Sequence, residues 1–182
     1  MSISWYLPII SLIVLGNAGT WTEIDEETEE KLEELQLFYI RLILQVPVST
    51  PKTALRSETG LMSMRHRVEK EKLMLVHHLR HLDERTLARQ TYNEQVANKW
   101  PGLAAEASII CERLKLDNVN NTEWSKTQYK NLTNKALQRE DEILLRNKME
   151  GKTKVKDLVT EDCKLKDYFR GSPWLLREKS SR

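Results

Sequence analysis

The chain has 182 residues, 40% hydrophobic and 31% charged, with a formal net charge of +2. That length suits one domain with a real core, and that composition excludes a disordered chain. So small a net charge does not by itself argue for nucleic acid, and six glycines and five prolines favour long helices over a many-stranded sandwich.

Residues 3–15 (ISWYLPIISLIVL) are apolar apart from two serines and a proline. The run is shorter than the roughly 20 residues a membrane span needs. It has the length of a signal-peptide core, and Gly16-Asn17-Ala18 offers small residues beyond it, but no Lys or Arg precedes it and Pro8 interrupts it. It reads either as a targeting segment or as an apolar element made to pack against something.

Thr22-Glu23-Ile24-Asp25 predicts a helix start, a hydroxyl three residues ahead of a carboxylate with further acids where the helix dipole favours them. Leu32, Leu35, Tyr39, Leu42 and Val46 then recur at helical spacing. Leu37, Phe38, Ile40, Ile43 and Leu44 widen that apolar surface, and Pro47 ends the helix. Ser49-Thr50-Pro51 predicts a second start with a hydroxyl cap, and Gly60 suits a left-handed C-terminal cap. In the next segment Leu61, Met64, Val68, Leu75, Leu79 and Leu82 share a face, with Arg65, Arg67, Lys70 and Lys72 largely off it, and Asp83 as the stop.

A further helix is expected over residues 84–99 with Leu87, Tyr92 and Val96 inward. Trp100-Pro101-Gly102 breaks it. Residues 103–116 are helical by their alanines and by Leu103, Ala107, Ile110 and Leu114. An Asn-rich loop at 117–121 follows. Residues 122–150 read as one long polar helix, capped by Thr122, with Tyr129, Leu132, Ala136 and Ile143 on its apolar face and Gly151 at its end. The tail 151–182 is polar, with a short helical stretch near Val155 and a last apolar group at Trp174-Leu175-Leu176.

The charge is unevenly placed. Acids crowd the first helix from Glu23 to Glu34, while Lys52, Arg56, Arg65, Arg67, Lys70 and Lys72 lie on and after the Pro-rich elbow. Such a basic segment is compatible with phosphate contact or with internal pairing. Two cysteines, Cys111 and Cys163, supply neither a disulfide framework nor a four-thiolate zinc site. His77 and His81 stand one turn apart, yet no third ligand or HExxH pattern accompanies them. No nucleophile elbow frames a serine, and no glycines form a phosphate loop. No catalytic residue, metal or cofactor is therefore expected. The sequons at Asn120 and Asn131 suit a secreted protein.

Several stretches carry a resemblance: Ala18-Gly19-Thr20-Trp21 leading into residues 29–36 (EEKLEELQ), then 41–47 (RLILQVP), 49–61 (STPKTALRSETGL), 61–66 (LMSMRH) and Trp100-Pro101-Gly102-Leu103. These resemble the C-terminal, post-polymerase region of the reverse-transcriptase polyproteins of non-LTR (LINE-type) retrotransposons. About 40 consecutive residues match strongly and most of the rest loosely. In that family the polymerase, with its paired aspartates, lies upstream; no two adjacent aspartates occur here, and the endonuclease is missing too. The resemblance implies a non-catalytic remnant with no small-molecule substrate, touching RNA or DNA backbone weakly through Arg56, Arg65, Arg67, Lys70 and Lys72, or self-associating through apolar surface.

The expected fold is all-α, an irregular array of about five to seven helices. It comprises an apolar segment over 1–19, a helical domain over 20–150 and a poorly ordered tail over 151–182. The expected location is intracellular, cytoplasmic or nuclear. The competing reading is a small secreted or membrane-tethered helical interaction protein, anchored through residues 3–15.

Overall fold

The computed structural model describes residues 15–21, 24–116 and 124–150. Within them the chain is all-α: a 3-10 turn at Ala18–Thr20 and six helices, with no strand. We label the helices α1 (Glu26–Leu44), α2 (Lys52–Thr59), α3 (Met64–His81), α4 (Leu87–Asn98), α5 (Leu103–Arg113) and α6 (Lys126–Glu150). No described helix is long and apolar enough to cross a membrane. The apolar run up to residue 14, the Thr22 and Thr122 caps, the Asn-rich loop with its sequon, Gly151 and the tail lie outside the described residues.

The region read as one helical domain distributes over two compact units. The first contains residues 27–64 and 141–150, the second 15–26 and 65–140, so α6 contributes to both.

In the first unit, Leu37 and Ile40 of α1 meet Leu55 of α2, with Leu44, Val46 and Leu61 around them. This corrects the expected stripe: Leu35 is 39% and Leu42 63% exposed. The helix is apolar on several sides, and the side that buries is the one facing Leu55. The end of α1 is a Schellman turn, in which Gln45 takes φ 53° and the Val46 amide donates to the Arg41 carbonyl at 3.2 Å. Pro47 follows. No side-chain cap forms at the start of α2; Pro51 itself holds the cap position, with extended backbone, and the Thr50 carbonyl accepts from Arg41 at 3.1 Å. Gly60 closes α2 as expected, with φ 61° and its amide on the Arg56 carbonyl. Leu145 and Met149 of α6 form a smaller apolar cluster with Ala54.

In the second unit the core joins Leu73 and Val76 of α3, Tyr92 of α4, Ala104, Ala107 and Ile110 of α5, Leu116, and Tyr129 of α6. Leu73 and Val76, absent from the expected α3 stripe, are fully buried. On α4 only Tyr92 turns inward; Leu87 and Val96 are exposed, and the helix starts at Leu87 rather than near residue 84. Ile143 of α6 is likewise 59% exposed.

Two further Schellman turns end α4 and α5. Lys99 and Lys115 each sit at φ 53°, with Trp100 donating to Gln95 and Leu116 to Cys111. Helix α6 opens on Ser125 with a capping box: the Gln128 amide donates to Ser125 Oγ at 3.4 Å and the Ser125 amide to Gln128 Oε1 at 3.0 Å.

Candidate nucleic-acid interface

The 3-10 turn lies against α3 in the second unit. A Cβ on Gly19 would stand 3.0 Å from the Glu71 carbonyl oxygen and 3.2 Å from Leu75 Cβ, so a side chain here would be crowded and a neighbour would have to give by a few tenths of an ångström. Thr20 Oγ1 donates to the Asn17 carbonyl at 2.8 Å and tightens the turn. Residues 15–20 thereby form one wall of a cleft of about 390 Å³. Lys70, Glu71, Met74, Leu75 and His78 of α3 and Lys126 and Lys130 of α6 line the rest of it.

The cleft is electropositive. It holds three lysines against one carboxylate, Glu71, and none of the three makes an ion pair with a described residue. Burial lowers the Lys70 pKa; Glu71 raises it, while Lys130 and Arg67 lower it further. An anion entering the cleft would offset that repulsion and raise the Lys70 pKa again.

A second cavity of about 420 Å³ shares Met74, His78 and Lys126 with the first and adds His77, His81, Trp124 and Ser125. Two of its lining residues, His77 and His81, belong to a column of near-parallel rings. Tyr129 stacks on His77 at 4.5 Å and 28°, and His77 on His81 at 4.1 Å and 26°. A carbonyl accepts only, so His77 Nε2 carries its proton toward the Trp124 carbonyl at 3.1 Å, and His81 Nδ1 toward the His77 carbonyl at 2.8 Å. Burial lowers the His77 pKa, opposed by the Trp124 hydrogen bond and reinforced by His81, Arg80 and Lys126. The histidines thus serve as packed rings, each with one nitrogen held on a carbonyl.

The five basic residues singled out in the sequence meet different fates. Arg56, in the first unit, is buried with Nη2 2.6 Å from both Asp141 carboxylate oxygens. Lys72 is buried against Glu106 of α5. Arg65 is exposed and reaches Glu69 one turn on, at 3.2 Å. Arg67 and Lys70 are half-buried. Only Lys70 of the five lines the cleft. Lys126 and Lys130, which complete it, were not singled out in the sequence; a Lys pair four apart just after a Ser-x-x-Gln cap was their only local signal.

A cluster of His66, Glu69 and Glu140 has the composition of a cation site, its ligand atoms lying within 4.8 Å of one another. Arg113 supplies the positive charge there. Its Nη2 is 2.6 Å from Glu69 Oε2, and its Nη1 is 2.7 Å from Glu140 Oε2, the same oxygen that meets His66 Nε2 at 3.1 Å. Burial works against the Arg113 charge, but the two carboxylates more than offset it and raise its pKa. The cluster is a cross-link among α3, α5 and α6.

The remaining described sequon, Asn131-Leu132-Thr133, lies inside α6 with Thr133 wholly buried, unlike the surface loop in which an acceptor triplet is presented. No family model, no curated protein and no solved structure matches the chain.

Proposed function

We propose that the chain is a non-catalytic helical module that holds nucleic-acid backbone in the cleft of Lys70, Lys126 and Lys130. The observation that carries this reading is the convergence of three lysines, without carboxylate partners among the described residues, on one cleft. The resemblance to the post-polymerase region of non-LTR retrotransposon reverse transcriptases supports it, and the reading expects the protein inside the cell. Lysines contact phosphate as point charges and release condensed counterions.

Three such contacts on a single strand give a salt slope of about −2, a loss of roughly twentyfold in affinity between 50 and 200 mM salt. Filter binding of RNA and DNA oligonucleotides at those two salts tests it. Lys126→Glu with Lys130→Glu should abolish most low-salt retention. Equal retention at both salts, or an unchanged double variant, would remove the proposal.

Self-association is a second reading, favoured by Leu35, Phe38 and Leu42, exposed at 39%, 58% and 63% and spaced along one face of α1. Light scattering should then give a mass above one chain that Phe38→Glu returns to a monomer. A wild-type monomer at high concentration rules it out.

A further inference from the structure

The two cavities of the second unit share Met74, His78 and Lys126, so a ligand held at one has an open neighbour at the other. Their chemistries differ. The first is a lysine cleft, and the second is walled by rings and a thioether around the stacked column. That column runs from buried Tyr129 through buried His77 to exposed His81. A flat aromatic ligand in the cavity can pack against its exposed rings, since offset-stacked and edge-to-face aromatic pairs are favourable. Both volumes fall in the range of small-ligand pockets, about 300–1,000 Å³.

A cationic cleft beside a stacking platform is how sequence-tolerant single-strand binders hold a nucleotide, phosphate on one side and base on the other. A paired base keeps its faces inside the duplex stack and is not available to this platform. We propose that the pocket bounded by His77, His78, His81 and Trp124 takes one unpaired nucleobase, with the adjoining phosphate at Lys126, so that the ligand is a single strand. This rests on the lysine-cleft reading above and adds the base to it.

The test is fluorescence anisotropy on the full chain with three ligands of equal length. One is a labelled single-stranded oligonucleotide, one its fully abasic counterpart with the same phosphates, and one the duplex. The base-bearing strand should bind about tenfold tighter than the abasic strand and tighter than the duplex. His81→Ala, at an exposed position, should remove most of that preference and leave abasic affinity unchanged. His78→Ala, also exposed, should reduce the preference as well. Equal binding of base-bearing and abasic strands would overturn the base pocket while leaving the backbone reading intact. A preference that survives both histidine variants, or a preference for duplex, also overturns it. Failure of all three ligands to bind takes down both readings.

Discussion

Replacing Asp141 with asparagine removes the main counter-charge of a guanidinium with little access to water. Arg56 Nη2 stands 2.6 Å from both carboxylate oxygens of Asp141, and each side chain is only 10% exposed. The same carboxylate faces the Ser63 amide at 3.4 Å. Breaking a buried pair from one side costs about 3–5 kcal/mol, because the remaining charge stays desolvated. Glu33 still lies 3.5 Å from Arg56 Nε, which puts the expected loss near the lower end, about 3 kcal/mol. For a chain of this size that is roughly 6–12 °C in melting temperature.

Circular dichroism melts measure the loss, and hydrogen exchange at the amides of α2 locates it in the first unit. Arg56→Met combined with Asp141→Leu removes both charges and should come back to within about 1 kcal/mol of the parent. A single variant losing less than about 1 kcal/mol would mean that water reaches the pair. A double variant as unstable as the single one would mean that lost packing, not stranded charge, sets the cost.

Gly19→Ala should lower stability by about 1–3 kcal/mol, since the new methyl meets the fixed Glu71 carbonyl at 3.0 Å; a melt unchanged from the parent would mean that the turn does not pack there. Lys115→Gly should instead stabilise by about 0.5–1 kcal/mol. It relieves the left-handed φ of 53° against a smaller gain in unfolded-state entropy, and a loss in urea titrations would count against the strain.

His77 has its pKa lowered from 6.5 chiefly by burial. Its contribution is fully present above pH 6.5 and drains away as pH falls below that toward the depressed folded-state value. His77→Gln should therefore flatten the stability profile between pH 7 and 5, and parallel profiles would refute this. Burial raises the Cys111 pKa to about 11. In a Cys163→Ser background its alkylation at pH 8 should run roughly a hundredfold below a free thiol, and labelling at the free-thiol rate would contradict that burial.

The chain's local chemistry determined where helices run and stop. Gly60 closes α2 because a left-handed cap needs no partner beyond its own helix, and Trp100-Pro101-Gly102 separates α4 from α5 for equally local reasons. The all-α class follows from the same signals, long periodic segments with few breaks. The side a helix buries was a tertiary decision. Helix α1 carries apolar residues on several faces, and Leu55 selects Leu37 and Ile40 over Leu35 and Leu42. The same holds for charge. Arg56 and Lys72 look like surface cations in the sequence, but Asp141 and Glu106, supplied by distant helices, draw them inside.

The candidate interface was legible only at Lys70. Its other wall comes from Lys126 and Lys130, which helical packing brings to Lys70 and which periodicity on one strand of sequence does not relate to it. Periodicity offers a helix a choice of faces; the neighbour it packs against makes the choice.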